Sequence, residues 1–153
     1  MTTNQEINYL GNFIQNFEGV YACDKIPNLK RFKKALLIIN LDHHYERGSH
    51  FVALIIDKSC ENKIVYFDPL GFNLNNKHII KTISSISDDY NQITKAIQAP
   101  LSNFCGLFCL AACVSNFLKT PLNTFMNLFS SNLQKNDKIV FNYLKNFYKS
   151  INK

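Results

Sequence analysis

The chain has 153 residues, of which 46% are hydrophobic and 18% charged, and its formal net charge is +6. This balance is typical of one soluble domain over residues 1–153 and excludes a disordered or low-complexity chain. No apolar run reaches the roughly 18–20 residues that a membrane-spanning helix needs, and the polar N-terminus does not resemble a secretory signal.

The positive charge is partly local, with a cluster at Lys30, Arg31, Lys33 and Lys34 and a second group of lysines near the C-terminal end. A basic excess attracts acidic partners such as DNA without sequence preference, but a solvated basic surface has the same composition. Both interpretations stay open. We expect a monomer that has no membrane partner.

The first half of the chain predicts one helix and three strands. Residues 3–17 have helical apolar spacing behind a capping box of Thr3 and Glu6, and residues 18–28 read as an irregular connector. Continuous apolar runs over 35–41, 51–57 and 63–67 predict strands that are buried on both faces.

The second half is mainly helical. Asp68-Pro69-Leu70-Gly71 ends the last strand, and the spacing then predicts a helix over 76–86, a short strand over 91–98 and an apolar helix over 105–118. Thr120 is the expected N-cap of a further helix, and Asn136 or Asp137 that of the last one. The predicted fold class is α+β, a small mixed or antiparallel central sheet flanked by helices, without βαβ alternation.

The five cysteines are Cys23, Cys60, Cys105, Cys109 and Cys113. An odd number, with three in one apolar segment, argues against a disulfide framework and for a reducing intracellular environment. Small buried core residues explain Cys109 and Cys113, one and two turns into the predicted helix. Neither paired cysteines nor a histidine cluster shows metal-ligand spacing, so no metal site is predicted.

Cys105 differs because it falls in the first turn of the predicted helix, after a turn in which Ser102 or Asn103 could act as the cap. A helix N-terminus stabilises the thiolate, the nucleophilic form of cysteine. Gly106 follows and is expected to leave the backbone open to a substrate.

A base for this thiol is found among four histidines. His50 is the best placed because it directly precedes the strand over 51–57, whereas His43 and His44 lie within a loop and His78 lies near a helix start. In an antiparallel hairpin the start of one strand lies beside the end of the next, which places Asp68 next to His50. Asp68 could then orient the imidazole, although an aspartate before proline is equally typical of a turn.

Gln98 lies upstream of Cys105, across a turn, and its side-chain amide could join a helix-start N–H in binding an oxyanion. His50, Asp68, Gln98 and Cys105 then form a complete set for acyl transfer: base, orienting group, oxyanion donor and nucleophile. The predicted substrate contacts are Gly48, Ser49, Asn103 and Gly106, which flank this set.

These residues resemble the adenovirus maturation proteases (adenain), in a clan shared with the proteases of ubiquitin-like proteins. QAPLSNFCGLFC is similar to the adenain Gln-x-Pro…Cys-Gly-Leu-Phe-Cys block, and GSHFVALIID with KIVYFDPLGF is similar to its His-bearing strand and acid-Pro turn. GVYACDKIPNL and TPLNTFMNL resemble further family segments.

The resemblance implies a papain-like core with permuted order and the same four catalytic residues, His50, Asp68, Gln98 and Cys105. It also implies cleavage of viral precursor (capsid or core) proteins at small-residue or Gly-containing sites during virion maturation. The expected location is the virion and the infected cell, in the nucleus or cytoplasm.

Two features depart from adenain. The acid is Asp68 where adenain has glutamate, although the ubiquitin-like-protein proteases use aspartate. Adenain is activated by a viral peptide through a disulfide and by DNA, but the corresponding stretch, SISDDYNQITKAI, has no cysteine. We therefore expect no required cofactor and no disulfide-linked activator, and DNA and a viral peptide bound without a disulfide stay open as activators. Removal of ubiquitin-like modifiers and a non-catalytic binding module are the alternative functions.

Overall fold

The computed structural model describes residues 3–47, 49–60 and 63–152, in which five strands form one mixed sheet in the order β1-β2-β3-β4-β5. The strands are Phe17–Ala22 (β1), Lys34–Asn40 (β2), Phe51–Asp57 (β3), Ile64–Phe67 (β4) and Asn91–Ile93 (β5). The inner pairs β2–β3 and β3–β4 are antiparallel, and the outer pairs β1–β2 and β4–β5 are parallel.

The helices are Asn4–Gly11 (α1), Lys77–Ser84 (α2), Cys105–Phe117 (α3), Leu122–Met126 (α4) and Asn136–Ile151 (α5). Short 3₁₀ turns cover Cys23–Lys25 and Leu133–Lys135. Among the described residues, no helix combines the length and apolar character needed to cross a membrane. The predicted α+β class with a mixed sheet flanked by helices is confirmed.

The sheet is buried on both faces, which explains the continuous apolar runs of its inner strands. Alternate residues such as Leu36, Ile38 and Ile55 pack with α3 and α5 on one face. Their neighbours, such as Leu37 and Leu54, pack on the other face with α2 and the segment that follows β1. Side chains alternate along a strand, so covering both faces requires apolar residues at successive positions.

The first helix is shorter than predicted. The capping box is present, with Glu6 accepting from the Thr3 N–H at 2.8 Å and Thr3 Oγ1 accepting from Glu6 N at 3.2 Å. The helix nevertheless ends at Gly11 because the Phe17 ring packs against it, within 2.3 Å of where a Cβ would stand. Phe17 therefore begins β1 in the segment that the sequence predicts as helix and connector.

Three smaller expectations are also wrong. β4, α2 and β5 form one parallel βαβ connection, although no βαβ alternation is predicted. β5 covers only the first three residues of the strand predicted over 91–98. The N-cap of α4 is Pro121, without a side-chain hydrogen bond, rather than Thr120.

The turn after β4 joins two parts of the chain. The Gly71 N–H donates to the Asp68 carbonyl at 2.8 Å, and the Pro69 carbonyl accepts from the N–H groups of Ile97 and Gln98 at 2.9 and 3.0 Å. Gly71 has φ +77°, and a Cβ there would lie 2.7 Å from Ala96 N, a backbone atom. This glycine therefore allows the turn to lie directly against the segment that carries Gln98.

We predict that Gly71→Ala lowers the free energy of unfolding by at least about 2 kcal/mol, because left-handed strain and a backbone clash add. Urea denaturation of both proteins measures the difference. Gly71→Asn serves as the comparison, since asparagine tolerates positive φ but carries the same Cβ. An unchanged stability in Gly71→Ala contradicts the close packing.

Candidate active site

Cys105 is the first residue of α3, and no side chain caps the N-terminus of that helix in the described structure. The expected cap by Ser102 or Asn103 is wrong, since Phe104 occupies the N-cap position and Ser102 Oγ accepts from the Phe104 N–H at 3.1 Å. The first N–H groups of a helix need acceptors from outside the helix. Here they are left to stabilise negative charge at Cys105.

His50 is held at the start of β3, where its carbonyl accepts from Leu41 N at 2.9 Å and extends the β2–β3 pairing. The β3–β4 hairpin sets Asp68 beside it, and His50 Nε2 lies 2.7 Å from Asp68 Oδ1. The two side chains are only 15% and 2% exposed. Asp68 Oδ1 also accepts from the Leu70 N–H at 2.8 Å, which fixes the carboxylate within its turn.

The ionisation of His50 and Cys105 is coupled. Burial opposes the charge on the His50 imidazole, but hydrogen bonds to Asp68 and Cys105 outweigh it and raise the pKa of His50 to about 9. Burial likewise disfavours the Cys105 thiolate, but His50 and the N–H groups of Phe51 and Gly106 lower the pKa of this thiol below its usual value. The imidazolium and the thiolate therefore each favour the charged form of the other.

The other two cysteines of α3 are chemically different. Burial raises the pKa of Cys113 to about 12 and that of Cys109 well above its usual value. Both side chains are fully buried in the core between the sheet and the helices. Position along one helix thus separates a reactive thiol at its start from two inert thiols deeper in.

Gln98 is 2% exposed, and its Nε2 donates to the Ser102 carbonyl at 2.9 Å. This bond fixes the orientation of the amide, since a flipped amide would set two carbonyl oxygens against each other. Gln98 Oε1 has no hydrogen-bond partner among the described residues. The amide nitrogen retains a second N–H, so the side chain can still donate to another acceptor.

Two residues at the start of α5 hold the loop between β5 and α3, which carries Gln98 and Ser102. The sequence does not reveal this role. Asn136 is fully buried and donates from Nδ2 to the carbonyls of Ile97 and Ser130 at 2.8 and 2.9 Å. Asp137 Oδ1 accepts from Ser102 Oγ at 2.6 Å. The sequence predicts Asn136 or Asp137 as the N-cap of α5, but Lys135 occupies that position without a side-chain hydrogen bond. No local sequence pattern identifies the loop partners of Asn136 and Asp137.

The predicted substrate contacts differ in their exposure to solvent. Ser49 and Asn103 are exposed beside His50 and Cys105, whereas Gly48 lies outside the described residues. The expected open backbone at Gly106 is wrong. This residue is buried, and a Cβ there would lie 2.4 Å from Ile7 Cδ1, so the close packing of α1 on α3 requires the glycine.

Residues 17–146 match the sequence profile of the adenovirus endoprotease family. The chain belongs to this family. It is a cysteine protease, and the thiol, imidazole and carboxylate just described lie where its fold brings three separate segments together. No curated protein sequence matches the chain.

Solved structures of the SUMO protease Ulp1 share the fold. One, with its catalytic cysteine oxidised to a sulfinic acid, has a TM-score of 0.54 at 17% identity, over 93% of this chain and 78% of that one. Another is the C-terminal Ulp1 protease domain in complex with Smt3, the yeast orthologue of SUMO. Its TM-score is 0.50 at 18% identity, over 79% of this chain and 67% of that one.

We predict that iodoacetamide at pH 7 alkylates Cys105 at least about tenfold faster than the exposed Cys60, because alkylation rates follow thiolate content. Peptide mapping by mass spectrometry after short exposure measures both rates in one sample. His50→Ala should remove the preference, and Cys60 provides the internal control. Equal labelling of the two thiols in the unsubstituted protein contradicts the coupled pair.

Proposed function

We propose that this cysteine protease cleaves viral precursor proteins at small-residue or Gly-containing sites during virion maturation. The observation that carries the proposal is the His50–Asp68 hydrogen bond beside the Cys105 thiol in a chain of the adenovirus endoprotease family.

In this proposal Cys105 is the nucleophile. Its Sγ bonds to the scissile carbonyl carbon, and the electron pair of the carbonyl moves onto oxygen. His50 then transfers its ring proton to the leaving amine as the C–N bond breaks and a thioester remains. His50 next takes a proton from water as the water oxygen attacks the thioester carbon. The C–S bond then breaks, Cys105 leaves as the thiolate and His50 keeps the proton, so the acid product departs and the starting pair is restored.

The supporting residues act on charge and orientation. Asp68 binds Nε2 of His50, which leaves Nδ1 as the ring nitrogen that exchanges the proton with Cys105. The transient oxyanion would accept hydrogen bonds from the second N–H of the Gln98 amide and from backbone N–H groups at the start of α3. Such preorganised donors are typically worth about 10²–10³ in kcat.

A second candidate function is the removal of ubiquitin-like modifiers. The fold likeness to the Ulp1 domain in complex with Smt3 favours it, and the same four residues would carry out the reaction. Stimulation by DNA and a location in the virion and infected cell remain further parts of the maturation proposal.

The pH dependence of kcat/KM should be bell-shaped, since the reactive form needs both the thiolate and the imidazolium. Activity appears as pH rises through the lowered pKa of Cys105 and is lost as pH rises through the His50 pKa of about 9. Asp68→Asn should move the alkaline limb down by about one to three pH units, because a charge that favours the imidazolium is removed. An alkaline limb that does not move in Asp68→Asn contradicts the role of Asp68.

A substrate comparison separates the two functions. We expect peptides that contain Gly-rich precursor-type sites to be cleaved with a higher kcat/KM than fluorogenic substrates that carry the C-termini of ubiquitin-like proteins. Cys105→Ala is the control and should lose at least about a thousandfold on every substrate. Faster turnover of a modifier substrate favours the second function, and full activity in Cys105→Ala contradicts both.

A further inference from the structure

We propose that Cys23, His43 and His78 form a zinc site, separate from the residues that carry the proposed protease chemistry. Cys23 Sγ and one ring nitrogen from each histidine all lie within 4.8 Å of one another. They come from the turn after β1, the loop between β2 and β3, and the first turn of α2. The sequence shows no ligand spacing because three distant segments contribute one ligand each.

The two imidazoles are directed at a common point. His43 Nε2 and His78 Nε2 are 3.1 Å apart. A tetrahedral zinc with Zn–N bonds of about 2.0–2.1 Å sets two nitrogen ligands about 3.3 Å apart, so little movement would be needed. A proton shared between the two rings is the alternative explanation of this distance.

The outer contacts of His43 suit a metal ligand. His43 Nδ1 lies 2.7 Å from Glu46 Oε1, and the same carboxylate oxygen accepts from the His43 backbone N–H at 3.0 Å. With the ring proton on Nδ1, the lone pair of Nε2 points away from Glu46 towards His78. Histidine ligands of zinc commonly donate their other ring N–H to a carboxylate in this way, which fixes the tautomer.

The other two ligands are also held in place. The Asn76 side chain accepts from the N–H groups of His78 and Ile79, which sets His78 at the start of α2. Cys23 is buried, and its thiol donates to the Leu41 carbonyl at 3.2 Å. Zinc binding displaces the thiol proton, and the Leu41 carbonyl then keeps the Asn76 amide as a donor at 3.3 Å.

The donor set favours zinc among the common divalent ions. One thiolate and two neutral imidazoles match the sulfur and nitrogen ligands of protein zinc sites, whereas magnesium and calcium need oxygen. Three protein ligands leave a fourth position for water. Cys23 and His78 also line a surface cavity of about 380 Å³, which provides a path for the ion.

A zinc ion at this site would connect three parts of the chain. It would link the loop between β2 and β3, through His43, to α2 and to the turn after β1. Hydrogen-bond contacts of the His44 backbone N–H and ring with the Asp24 carboxylate already link the same loop to the turn after β1. Metal binding would therefore hold His43 and its loop in place against α2 and the turn after β1, through ligands that are not among the four proposed catalytic residues.

Metal titration of the Cys105→Ala protein tests the site, because this background removes the other reactive thiol. After treatment with a chelator, we expect one equivalent of Co²⁺ to give a thiolate-to-cobalt charge-transfer band and tetrahedral d–d bands. Zn²⁺ should displace the cobalt and raise the thermal midpoint. Cys23→Ser should abolish the charge-transfer band and weaken zinc binding by at least about a hundredfold, beyond the 10–100-fold typical of losing an outer-shell partner.

Matched controls use a cysteine and a histidine outside the cluster. Cys60→Ser and His50→Gln should retain the cobalt spectrum and the zinc affinity, whereas His78→Gln should lose the tetrahedral bands. Circular dichroism in the presence of chelator establishes whether each variant is folded. If Cys23→Ser does not fold, the cobalt spectrum of His78→Gln decides whether the site exists. Absence of stoichiometric binding, or an unchanged spectrum in Cys23→Ser or His78→Gln, overturns the proposal. The short distance between the two histidine rings is then explained by a proton that they share.

Discussion

The hydrogen bond between His50 and Asp68 is the interaction on which the rest of the site depends. It lies where β3 begins and β4 ends, so the backbone pairing of one hairpin sets its geometry. Because both side chains are largely buried, the carboxylate acts on the imidazole with little screening by water. The raised pKa of His50 and the lowered pKa of Cys105 follow from this arrangement and from the uncapped start of α3.

The loop between β5 and α3 is supported from two sides. The Pro69 carbonyl holds the backbone of Ile97 and Gln98, while Asn136 and Asp137 at the start of α5 bind Ile97 and Ser102. Ser102 in turn accepts from the Gln98 amide. The orientation of Gln98 thus depends on contacts between residues far apart in the chain, and preorganisation of this kind reduces the reorganisation that a reaction requires.

Much of the fold is predictable from local patterns, and the failures have physical causes. The segments that form β2, β3 and β4 are apolar at successive positions. α3 begins at its predicted start, and α5 begins one or two residues before its own. Phe17 has the spacing of a helix face, but its ring packs on Gly11 and its backbone pairs with β2, which only tertiary structure decides. For the site, one hairpin suffices to place Asp68 beside His50. The partners of Asn136 and the grouping of Cys23, His43 and His78 require the complete topology.

The charge state of His50 tests the central claim most directly, and NMR titration of its ring carbons in the resting protein measures it. The account predicts a His50 pKa of about 9 that falls in Cys105→Ser, because a neutral hydroxyl no longer favours the imidazolium. A titration near pH 6.5 in both proteins, the usual value for histidine, would contradict the thiolate–imidazolium pair.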